Sequence, residues 1–156
     1  MTQLYDIIIA PEPVLKQAAQ PIENIDTGVQ SQIERMTATM YDAPGIGLAA
    51  NQVGMLNRVF VIDVPENSWV YGGEKNGVLQ VKSAYRSGDE DGDEDGDASE
   101  EERARNPVAM INPEILHSSE QRSMFEEGCL SLPAQYGEVE RPAKIQHHLV
   151  LVSTTR

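Results

Sequence analysis

The chain has 156 residues, enough to bury one hydrophobic core and to form one domain. Its 25 Asp and Glu outweigh 12 Lys and Arg, for a formal net charge of −13 with no basic stripe, so direct nucleic-acid binding is not expected. A lone cysteine gives no internal disulfide, and "MTQLYDIIIAPEP" at the start has an apolar run of only four residues; a cytoplasmic location without membrane association is the expectation.

In chain order, "APEPVLKQAAQPI" opens with two prolines and closes with a third, which predicts a short helical turn over Pro13 to Ala19 between extended pieces. "TGVQSQIERMTATMYDAPG" predicts a helix, with Val29, Ile33, Met36 and Met40 on one face for core packing and "APG" as its stop. "NRVFVIDVP" reads as a strand too apolar to be half exposed. Between about residues 68 and 106 the composition shifts as an insertion would, beginning with a hairpin centred on "GGEKNG". It ends in the acidic tract Ser87 to Arg105, which has almost nothing to bury and is expected to be disordered. That tract holds ten acids and two bases; without it the net charge would be −5. "PVAMINPEI" predicts a strand whose Asn112–Pro113 pair ends one piece and starts the next, "HSSEQ" a turn, and "LVLVST" a final strand. The fold class is α+β, one domain over residues 1–156 interrupted by the insertion.

Two motifs invite a chemical reading. In "GIGLAANQ", Gly45 and Gly47 let backbone approach a ligand closely, Ile46 and Leu48 offer apolar surface, and the Gln52 amide can both donate and accept. Taken alone, the same residues are a tight turn, a strand and a hydrogen-bonded glutamine. In "EEGCLSLP", Cys129 is open to three readings: metal ligand, nucleophile or small buried apolar residue. Thiolate catalysis is disfavoured beside Glu126 and Glu127, because acids oppose ionisation of the thiol, whereas a bound divalent cation would drive it. A third motif lies in the acidic tract: Asp91, Asp93, Asp95, Gly96, Asp97 and Glu102 match the calcium-loop spacing. Acidic repeats produce such matches readily, and neither flank is an amphipathic helix.

In their order and context, "PGIGLAANQVG", "RVFVIDV", "INPEI" and "EEGCLSLP…ERP" resemble the peptide deformylases, from about Pro11 to Ile145. The resemblance implies hydrolytic removal of the formyl group from N-terminal formyl-methionine, and as partners N-formylmethionyl peptides and nascent chains at the ribosome, with a monomeric enzyme. It implies a divalent metal, Fe2+ with Zn2+ or Ni2+ as alternatives, with Cys129 as one ligand. It also implies that Gln52 and the main-chain N–H of Leu130 stabilise an oxyanion, and that Gly45, Ile46 and Gly47 bind the substrate backbone.

The family pattern also requires His-Glu-x-x-His on one helix, which places two imidazoles on one face and a Glu beside the metal's water. These 156 residues contain no such motif; their histidines are His117, placed in a polar turn, and the adjacent His147 and His148, which a strand would point to opposite faces. The expectation is therefore a C-terminally truncated or frameshifted member with an incomplete site, inactive or impaired. Without that helix Val59, Val61, Ile111 and Ile115 are expected to lack a covering partner, leaving an aggregating or molten chain. Two other functions compete: a non-catalytic module binding formyl-methionine or nascent chains, and a cation- or partner-binding protein acting through the acidic tract.

Overall fold

A computed structural model describes residues 3–64, 69–75, 78–84 and 105–153. The acidic tract up to residue 104, with its calcium-loop match, lies outside the described residues. Helix α1 (Thr27–Asp42) begins where the Asp26 carboxylate accepts the Val29 N–H at 2.9 Å, a side-chain cap that satisfies an otherwise orphaned donor. Its face of Ile33, Met36 and Met40 is buried, as the spacing predicts. The prolines before it give a 3₁₀ turn over Pro13–Lys16.

Eight strands are described: β1 (Gly47–Ala49), β2 (Val59–Ile62), β3 (Trp69–Lys75), β4 (Val78–Ala84), β5 (Val108–Ser118), β6 (Arg122–Cys129), β7 (Leu132–Pro142) and β8 (Lys144–Ser153). Six of them form one antiparallel sheet in the order β1-β2-β5-β8-β4-β3, and β6 and β7 form a separate two-stranded ribbon. The hairpin foreseen at "GGEKNG" is the β3–β4 pair, with Lys75 opposite Val78. One helix with antiparallel strands is the α+β class expected.

The core lies between α1 and β1, β2 and β5. Val59 and Val61 of β2 and Ala109 and Ile111 of β5 point at Ile33, Met36 and Met40 with Leu48 and Ala50. This corrects the expectation that Val59, Val61 and Ile111 would lack a cover: α1 supplies it. Ile115 does stay 67% exposed, because β5 changes course before reaching it. At Asn112 the backbone takes a positive φ of 51°, in the left-handed region that asparagine enters more readily than most residues. Its amide oxygen accepts the Ile22 N–H and its amide nitrogen donates to the Ile22 carbonyl, both at 2.8 Å. The pairing with β8 shifts register between Ile111 and Glu114. Asn112–Pro113 is thus an irregularity inside one continuous strand rather than a break between two.

Candidate active-site groove

Both motifs reach the same place from different sheets. Residues 45–52 form the edge strand β1 and a 3₁₀ turn over Ala50–Val53. Residues 126–133 form the end of β6, a tight turn at Leu130 and Ser131, and the start of β7. Between them runs a groove of about 530 Å³, lined by Gly45, Ile46, Gly47 and Gln52 on one side and by Cys129, Leu130 and Tyr136 on the other. Ile46 is 68% exposed there, while Leu48 is buried in the core; Ile46 stands just before β1, so the same-face rule for residues two apart on a strand does not bring it into the core with Leu48.

Gln52 is held at both ends of its amide. Its Oε1 accepts the Ala49 N–H at 2.9 Å, and its Nε2 donates to Ser131 Oγ at 3.1 Å and lies 3.6 Å from Cys129 Sγ. Since only the oxygen can accept from a peptide N–H, the nitrogen end must face Cys129. On the other side Leu130 sits against Gly45 so closely that a Cβ at position 45 would lie 2.6 Å from Leu130 Cδ1. Glycine at 45 permits this close approach of the two walls, and any larger residue would make the Leu130 side chain shift. Gly128 does the same service under Tyr136, whose ring would be 2.8 Å from an added Cβ.

The ribbon carrying Cys129 is fastened at its tip. The Ile8 N–H donates to the Gln52 carbonyl at 2.8 Å and the Ala10 N–H to the Ser131 carbonyl at 2.9 Å, so one N-terminal segment bonds both walls. Behind Cys129, Arg141 grips Glu127 with two bonds of 2.8 and 2.7 Å. That guanidinium holds the Glu127 carboxyl below the usual carboxylate range.

Cys129 is exposed and, among the described residues, no three His, Cys, Asp or Glu side chains come together as a metal would require. His117 stands exposed near the end of β5, opposite Gln146, rather than in a turn. His147 and His148 lie on β8 and diverge as expected: His147 is buried, with its pKa lowered by desolvation, and His148 is half-buried with Nε2 4.0 Å from Glu114. The described residues thus fit one ligand of a tetrahedral site and not three.

Sequence reasoning overlooked Ser131, Tyr136 and the N-terminal segment. Tyr136 had a signal, since a hairpin register that sets it opposite Gly128 pairs a large residue with a small one. Ser131 and residues 8–10 had none, because their bonds cross long sequence separations.

The family model for polypeptide deformylases matches residues 4–154. Peptide deformylases of Rhizobium meliloti and Rhizorhabdus wittichii are 41% and 42% identical over 139 residues, 89% of this chain in each case. Those matches cover 60% and 62% of the two relatives, so the chain spans about three fifths of their length. The crystal structure of the Thermotoga maritima peptide deformylase is similar, with a TM-score of 0.68 and 32% identity, covering 97% of this chain and 80% of that one. A Met-Ala-Ser-bound class I type b peptide deformylase from Acinetobacter baumannii has a TM-score of 0.67 at 26% identity, covering 99% of this chain and 84% of that one. No described helix is long and apolar enough to cross a membrane. Groove, motifs and these likenesses agree, and the chain belongs to the polypeptide deformylase family.

Proposed function

We propose that the groove receives the N-formylmethionyl end of a nascent polypeptide, the substrate on which a peptide deformylase hydrolyses the formyl amide. The observation that carries this reading is the convergence of the Gln52 amide, the Cys129 thiol and the edge strand β1 on one groove. An extended peptide laid along Gly45 to Gly47 would add a strand to that edge, with Ile46 as apolar contact for the methionine side chain. At the inner end the Gln52 carboxamide and the Leu130 main-chain N–H would meet the formyl oxygen, donors that gain strength as negative charge develops on it.

The family's divalent metal, iron by resemblance, would take Cys129 as one ligand and supply Lewis-acid activation. The described residues do not make up the rest of that site, so the roles assigned here are binding and orientation. The same observation favours a second reading, a formyl-methionine-binding module without turnover.

The test is to follow formyl-Met-Ala-Ser with the 156-residue chain, prepared with iron or nickel, and to measure peptide affinity in parallel. Binding without hydrolysis supports the module. Hydrolysis that Cys129→Ala abolishes supports the full family reaction. Absence of both binding and hydrolysis defeats the groove assignment.

A further inference from the structure

Gln52 can act on a formyl oxygen only if its nitrogen end, not its oxygen, faces the groove. The Ala49 N–H fixes the polarity of the amide, but one bond at the oxygen leaves the plane of the carboxamide free to swing about it. The second anchor is Ser131 Oγ, 3.1 Å from Nε2, on a residue only 3% exposed. A hydroxyl both donates and accepts, so Ser131 alone would tolerate a flipped amide; Ala49 and Ser131 together select one orientation. Ser131 is itself placed from outside its ribbon, because its carbonyl accepts the Ala10 N–H.

We propose that Ser131 is a positioning residue, whose buried hydroxyl aims the Gln52 carboxamide across the gap between the two sheets toward Cys129 and the groove. This rests on the groove being the formyl site, and it adds to that reading the residue that sets its preference for a formylated end. Removing the hydroxyl leaves one Gln52 N–H without its partner and lets the amide turn, while the β1 edge that holds the peptide backbone is untouched.

The experiment uses the 15N-labelled 156-residue chain. The Gln52 side-chain NH2 pair is identified by its disappearance in Gln52→Leu. In Ser131→Ala this pair should shift and exchange faster, with the backbone amide dispersion retained. Ser131→Thr, which keeps the hydroxyl, should restore it. The preference for formyl-Met-Ala-Ser over Met-Ala-Ser should fall roughly fivefold in Ser131→Ala, the size of one neutral hydrogen bond, with Met-Ala-Ser affinity unchanged. An unmoved Gln52 pair, or an equal loss of affinity for both peptides, would overturn the proposal. A moved pair in a chain that never distinguishes the two peptides would uphold Ser131's hold on Gln52 and sink the formyl reading of the groove instead.

Discussion

The two walls of the groove stand on unlike foundations. Gln52 belongs to a segment rooted in the core: Leu48 and Ala50 just before it are buried against Val59, Val61 and Met40. Cys129 belongs to a two-stranded ribbon on which Met124, Phe125, Leu132 and Tyr136 are all exposed. A bare hairpin is at best marginally stable in water, so this one depends on its fastenings. At its open end the Ser119 N–H donates to the Lys144 carbonyl and the Ala143 N–H to the Gln121 carbonyl; at its tip stand the bonds from Ala10 and Gln52 to Ser131. The lesson is that one wall is fixed by burial and the other by a few hydrogen bonds and one close contact. Substitutions should therefore act differently on each.

The largest expected difference is in stability. Ile111→Ala empties a site only 1% exposed under α1 and should cost about 2–5 kcal/mol in urea denaturation. Met124→Ala on the ribbon should stay within about 0.5 kcal/mol. Equal costs would mean that the ribbon packs as tightly as the core and would remove the contrast. Native-state amide exchange should order the regions in the same way, with β6 and β7 opening below the global unfolding free energy and β2 and β5 near it.

Next comes the contact joining the walls. Gly45→Ala puts a methyl 2.6 Å from Leu130 Cδ1, which must swing away and push the ribbon tip outward. The expected cost is about 1–3 kcal/mol, together with weakened binding of formyl-Met-Ala-Ser. If affinity survives while stability falls, Gly45 serves the fold and not the groove.

How far the sequence reached follows the same division. The core wall was legible because its signals are local: the 3–4 spacing of Ile33, Met36 and Met40, and the apolar run at Val59 and Val61, each name the buried face. That α1 would cover that face was not legible, since periodicity gives a face and not its partner. Of the motif residues singled out, Gly45, Ile46, Gly47, Gln52, Cys129 and Leu130 share one groove. What holds them there is not visible in either motif, because Ser131 and Gln52 are 79 residues apart and the strap at Ile8 and Ala10 is further still from Ser131. His147 shows the same limit. The strand reading sends it and His148 to opposite faces without saying which face is covered; it is buried on β8, which lies inside the sheet between β5 and β4, a placement set by pairings that no local pattern encodes.

The smallest effect separates the regions by pH, since each holds a group whose pKa is lowered in the folded chain. His147, in the six-stranded sheet, has a pKa lowered by burial from its ordinary 6.5. Its neutral form is favoured in the folded chain, so its contribution is complete above pH 6.5 and is lost as the pH falls from there toward the lowered folded value. Glu127, on the ribbon, has a pKa lowered from 4.5 first by its bonds to Arg141. Its contribution is complete above pH 4.5 and is lost only as the pH falls through its own lowered folded value. Arg141 is largely exposed, so solvent screens the pair and limits it to roughly 0.2–1 kcal/mol. Arg141→Ala should therefore lower stability by that small amount at neutral pH and flatten the acid limb below pH 4.5, leaving the decline below pH 6.5 intact. His147→Gln should do the reverse, removing the upper decline and keeping the lower one. Urea melts at half-unit pH steps would read both, and a single substitution that erased both limbs would show that the two walls titrate as one unit, against the separation argued from their packing.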